Sequence, residues 1–136
     1  VFSYIHNSAG EGLGKIGVLV DLDTELENAN EVGKNMCMHI AALNPVSISK
    51  NDFDLNLIES EKDIIKQQLK DSGKPDDILA KMMDGKISKF INENTLLGQK
   101  FVIDPSVSVS EYLDKMSKEK NVNISIKKFV RFEIGS

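Results

Sequence analysis

Asp71-Ser72-Gly73-Lys74-Pro75-Asp76-Asp77 separates two apolar stripes, Leu57, Ile58, Ile64, Ile65 and Leu69 before it and Leu79, Met83, Ile87 and Ile91 after it, with Phe90 beside the second. Each stripe recurs at helical spacing, so each is one face of an amphipathic helix. Gly73 can take the left-handed conformation that closes a helix, and Pro75 suits the start of the next one. Asp76 and Asp77 then fall where the positive end of the helix dipole favours negative charge. So short a connection predicts an antiparallel helical hairpin, with arms about 24 Å long at 1.5 Å per residue. The stripes are narrow enough to be coiled-coil-like, and a two-helix arm of that kind leaves apolar edges for self-association.

Working outward, the N-terminal side reads as strand, loop, strand, helix. Val1–His6 is strand-like, and Asn7 to Gly14 is a glycine-rich loop. Ile16, Val18, Val20 and Leu22 alternate with Gly17 and Asp21, the period-two pattern of a half-buried strand. A helix from about Asn28 to Leu43 carries Val32, Met36, His39, Ile40 and Leu43 on one face, and Asn44-Pro45 ends it. On the C-terminal side, Leu96 to Pro105 is a connector containing the strand-like run Phe101-Val102-Ile103. Ser108-Val109-Ser110-Glu111 has capping-box spacing and opens a short helix with Val109, Tyr112, Leu113 and Met116 buried. In the last strand Val122, Ile124, Ile126, Val130, Phe132 and Ile134 share one face, with Lys128 the exception. The other face holds Asn123, Ser125, Lys127, Arg131 and Glu133, interrupted by Phe129. The expected fold is α+β: an antiparallel sheet of about three strands packed with helices, plus the inserted helical hairpin.

Composition places few constraints on function. The 136 residues are 40% hydrophobic and 28% charged, an ordinary globular balance. No run of about 18 apolar residues suggests a membrane span, and a single Cys37 fits a reducing, cytoplasmic compartment. A net charge of −4 disfavours a phosphate backbone as the main partner. A chain opening on Val1 inside a strand-like run reads as a piece of something longer.

The patterns that could carry chemistry fail on context. Gly12-Leu13-Gly14-Lys15-Ile16-Gly17 spells a dinucleotide fingerprint, but it leads into a strand instead of opening a helix, so it reads as a hairpin loop. Cys37 and His39 stand two apart on a helix, about 200° around the axis, and cannot easily share a metal ion. His39 reads as a core histidine, and no metal, cofactor or catalytic residue is expected. Lys128-Phe129-Val130-Arg131-Phe132 is basic and aromatic but lacks the glycines of an RNA-recognition strand. Phe129, aromatic on a polar face, is either covered by a helix or open to a partner. The residues alone therefore point to a non-enzymatic binding module.

Several segments, in order, resemble elongation factor Ts. They are Tyr4-Ile5-His6, Ile16-Gly17-Val18-Leu19-Val20, and Met38-His39-Ile40-Ala41-Ala42 before Asn44-Pro45. Then come Ser72-Gly73-Lys74-Pro75, Lys81-Met82, Gly85-Lys86, Lys89-Phe90, Gln99 with Phe101-Val102, Asp104-Pro105, and Phe129 to Gly135. The chain departs from the family in Asn7, where glycine is common, in its longer Asn7–Lys15 loop, and in Lys100, where proline is usual. The resemblance implies part of a guanine-nucleotide exchange factor for elongation factor Tu. Residues 1–53 and 94–136 would be its C-terminal core subdomain, and residues 54–93 its dimerisation hairpin. It implies GTPase contacts at His6 and Asn7, with Phe129 a further candidate. A homodimer would form through Leu57, Ile58, Ile65, Leu69, Leu79, Met83 and Ile87. The N-terminal domain and the first core subdomain, with the Thr-Asp-Phe-Val segment that acts at the GTPase magnesium site, have no counterpart in these residues. The alternative is an independent RNA-binding or adaptor module.

Overall fold

The computed structural model describes residues 2–7 and 15–134, with residues 4–7 and 134 described at the level of the backbone. Strands β1 (Phe2–Asn7) and β2 (Lys15–Thr24) are followed by helices α1 (Asn30–Leu43), α2 (Leu55–Leu69), α3 (Asp76–Asn94) and α4 (Val109–Lys120), and by strand β3 (Ile124–Ile134). The sheet order is β1-β2-β3 and both pairings are antiparallel, so the fold is α+β as the patterning predicts. The Gly12 and Gly14 of the fingerprint lie outside the described residues, while Gly17 stands within β2.

The helix ends follow the local chemistry. In α4, Ser108 Oγ accepts the Glu111 N–H at 3.1 Å and Glu111 Oε1 accepts the Ser108 N–H at 3.1 Å, the reciprocal capping box. Helix α1 begins two residues later than expected and ends at Asn44, whose left-handed φ of 47° lets its N–H reach Ile40 O. Gly73 has φ +72°, and Asp76 and Asp77 occupy the first turn of α3.

Two hydrophobic clusters form. The larger joins Val18 and Val20 of β2, Val32, Met36, Cys37 and Ile40 of α1, Leu96, Phe101, the buried face of α4, and Ile124 and Ile126 of β3. The smaller joins Phe53, Ile65, Ile87 and Ile91, with Ile58, Leu69, Met83 and Phe90 around them. Phe53 meets Phe90 edge-on at 5.8 Å, which sets the start of α2 beside the end of α3.

Three expectations change. First, the single face assigned to the last strand does not hold. Asp21 pairs with Lys128 but Leu22 pairs with Ile126, so Lys127 is an extra residue on β3, a β-bulge. Side-chain alternation slips by one there. Ile124 and Ile126 face the core before the bulge; after it Phe129 and Arg131 do, opposite Val20 and Val18. Val130 and Phe132 turn to the outer face opposite Leu19 and Gly17, and with Leu19 they are exposed. Second, Leu57 and Ile64 are not covered by α3: they remain 39% and 50% exposed, whereas Ile65 of the same helix is buried. Leu43 is likewise exposed at the end of α1. Third, Phe101-Val102-Ile103 is no strand. A lone bridge between Lys100 and Ser108 marks it, and only Phe101 is buried.

Candidate functional site

The last two turns of α1 gather three parts of the molecule. From within α1, His39 points inward at 0% exposure. Its Nε2 lies 3.0 Å from Gln99 Oε1, and its Nδ1 accepts the Val102 N–H at 3.1 Å. Phe101 stacks on the ring at 6.1 Å between centroids, and Tyr112 of α4 stacks on Phe101 at 4.2 Å. From the sheet, Arg131 Nη2 donates to Ala41 O at 3.2 Å while Nη1 pairs with Glu133 Oε1 at 3.0 Å. A cation on a carbonyl near the end of a helix also complements the dipole. The bulge makes this contact, because it turns Arg131 to the core side.

The connector after α3, held by His39 through the Val102 amide, carries an exposed apolar tip. Val102 and Ile103 are 36% and 50% exposed, directly after fully buried Phe101. The turn beneath them is tied down: Phe101 N–H donates to Val107 O at 2.9 Å, Val107 N–H to Asp104 O at 3.2 Å, and Ser106 Oγ to Asp104 Oδ1 at 2.6 Å. The Ser106 hydroxyl and amide hold the Asp104 carboxyl below its usual range. A rigid turn with apolar side chains at its tip is suited to filling a pocket on a partner at low entropic cost.

His6 and Asn7 end β1, opposite Ile16 and Lys15; their side chains lie outside the described residues. Glu133 stands opposite Ile16 from the other side. The sheet row that contains His6 is thus joined through Glu133 and Arg131 to the end of α1, the same helix end whose His39 holds Val102. Phe129 is half-buried against the core, opposite Val20. Of the residues expected in the two-helix arm, Ile65 and Ile87 are buried, Ile58, Leu69, Leu79 and Met83 are half-buried, and Leu57 is exposed. In the sequence Val102 and Ile103 read as part of a strand-like run, not as an exposed tip. The available signal was two apolar residues set between Lys100 and the turn pair Asp104-Pro105.

Other features carry less chemistry. Burial pushes the Cys37 thiol up to about 11, so it stays protonated and inert. No group of three His, Cys, Asp or Glu side chains among the described residues could hold a metal ion, and both His39 nitrogens already have partners. A cleft beside Lys50, Lys89 and Ser110 adjoins the start of α4, where free amides would attract an anion. Those of Val109, Ser110 and Glu111 are committed to Gln99 O, Leu97 O and Ser108 Oγ. Among the described residues no helix is long and apolar enough to cross a membrane.

The family described as Elongation factor TS matches residues 1–136. The chain belongs to the elongation factor Ts family. It is 51% identical over 111 residues to elongation factor Ts of Paracoccus denitrificans, covering 82% of this chain and 38% of that protein. Against elongation factor Ts of Agrobacterium fabrum and of Sphingopyxis alaskensis it is 41% and 42% identical over 137 residues, covering 99% of this chain and 44% of each relative. The chain therefore spans under half the length of these elongation factor Ts proteins.

Proposed function

We propose that this chain is a docking portion of a translation elongation factor, binding the GTPase elongation factor Tu through the end of α1. Membership of the elongation factor Ts family supports the partner. The single structural observation that carries the site is the rigid, exposed Val102–Ile103 tip, fixed to the same helix end as the sheet row of His6. The reading is of a non-enzymatic protein–protein interaction in the cytoplasm. Residues 1–53 and 94–136 act as the docking body and residues 54–93 as a separate two-helix arm with its own small core. The exposed Leu57 and Ile64, seven residues apart on α2, give that arm a strip for pairing with a second copy.

Promoting GDP release requires binding that favours the nucleotide-free GTPase over the loaded one; equal binding to both states shifts nothing. The 136 residues contain no Thr-Asp-Phe-Val segment, so by themselves they dock without strongly accelerating exchange. The test is calorimetry of this chain against elongation factor Tu in GDP-bound and nucleotide-free forms, with stopped-flow release of a fluorescent GDP analogue. The expected result is a Kd on the order of micromolar to millimolar, weakened by Ile103→Asp, with little acceleration. Absence of binding refutes the docking reading. Acceleration near that of a full-length factor refutes the division of labour.

A further inference from the structure

The Val102 amide, at the exposed tip, ends on a ring at the centre of the domain, and the surrounding network fixes the state of that ring. Gln99 Nε2 faces two carbonyls, Glu93 O at 3.2 Å and Leu43 O at 3.5 Å. An amide nitrogen only donates, so Gln99 Oε1 is the atom turned to His39 and must accept. His39 Nε2 therefore carries the proton, and Nδ1 keeps the lone pair that receives the Val102 N–H. A second proton on the ring must go to Nδ1, where it meets the Val102 donor head-on.

We propose that His39 is a positioning residue for docking: its neutral ring fixes the Val102–Ile103 tip through the Val102 amide, and proton uptake by the ring releases the tip and weakens GTPase binding. The proposal rests on the docking reading above. Among the described residues no charge stands ready to stabilise the protonated ring, whose surroundings act on it through burial and the Gln99 hydrogen bond. On α1, Cys37 is a neutral thiol, and on α4, Tyr112 is a neutral phenol whose pKa burial raises. On the connector, Lys100 and Asp104 are exposed. On α3, Glu93 presents its backbone carbonyl to Gln99, and on β3 the Arg131 guanidinium ends on Ala41 O. Burial accordingly holds His39 below its ordinary value of 6.5, the Gln99 hydrogen bond opposing only in part. The tip is thus held throughout the neutral range and released on acidification.

Two substitutions divide the ring's two bonds. His39→Asn places an amide oxygen near the position of Nδ1, keeping the acceptor for Val102 but removing the titration. His39→Gln places an amide nitrogen near Nε2, keeping the donor to Gln99 but removing the acceptor. Hydrogen exchange of the Val102 amide in the free chain, corrected for intrinsic pH dependence, reads the positioning. Calorimetry with GDP-bound elongation factor Tu from pH 8 to 5.5 reads its effect on docking. Expected are protection of Val102 in wild type and H39N but not in H39Q, and H39Q affinity about tenfold weaker at neutral pH, as for one lost hydrogen bond to a buried group. Wild-type affinity should fall on acidification more steeply than that of H39N, which controls for titration of the GTPase. Equal affinities of H39N and H39Q, or the same pH profile in wild type and H39N, overturns the proposal. If H39Q does not fold by circular dichroism, the comparison of wild type with H39N decides. If wild type binds no GTPase at all, the docking reading has failed, and Val102 exchange still decides whether His39 holds the tip.

Discussion

Replacing Gly33 with alanine sets two opposed effects against each other, and the structure predicts which one wins. Gly33 lies on the buried face of α1. A Cβ built there falls 2.5 Å from both Cδ1 and Cδ2 of Phe2, with Cγ nearer still. Carbon atoms pack best at about 3.5–4.0 Å, so the overlap is about 1 Å or more. The ring cannot swing clear, because it is struck at the atom nearest its own backbone, and that backbone is paired to Val20 of β2. Glycine to alanine inside a helix gains about 1 kcal/mol by itself; forced overpacking costs about 1–3 kcal/mol. The overlap of about 1 Å or more puts the cost toward the upper end of that range, so the expected net effect is a loss of up to about 2 kcal/mol. Since the chain has no tryptophan, the assay is urea unfolding followed by far-ultraviolet circular dichroism. The decisive comparison is with Phe2→Ala, where the ring is gone and the same Gly33→Ala change should stabilise by up to about 1 kcal/mol. A stabilising effect in wild type, or an equal loss in both backgrounds, refutes the reasoning.

Gly73→Ala should cost about 1 kcal/mol from left-handed backbone strain alone, since nothing lies within 4 Å of the added Cβ; unchanged urea stability contradicts this. His39 is held below 6.5 by burial, so the unfolded chain takes up its proton first. Stability is full above pH 6.5 and falls as pH drops through the depressed folded value, by at most about 1.4 kcal/mol per pH unit from this one group. Urea midpoints from pH 8 to 5 should show that slope in wild type and a shallower one in His39→Asn. If Leu57 and Ile64 pair copies of the chain, Leu57→Lys with Ile64→Lys should yield a monomer at high micromolar concentration by sedimentation with little change in unfolding. Wild type already monomeric at that concentration counts against the pairing.

Much of the fold is written in local chemistry. Ser108 and Glu111 are three residues apart, so their capping box needs nothing distant; the same is true of Asn44-Pro45 ending α1 and of Gly73 turning the chain between α2 and α3. Family membership was also legible, since it depends on the order of short segments, and so was His39 as a core residue, from its place in the α1 stripe. The tertiary structure alone decided which side chains of β3 face inward. Lys127 is unpaired because of where β2 lies opposite it, and no count along one strand registers a mismatch between two. Its trace was present in Lys128 and Phe129 both breaking the alternation, but two exceptions in a row do not say on which side the phase slips. The exposure of Leu57, Ile64, Val102 and Ile103 has the same origin. Apolar character gives a residue a reason to be covered, but whether anything covers it is set by the width of the neighbouring helix and by a backbone hydrogen bond donated to a ring 63 positions earlier in the chain.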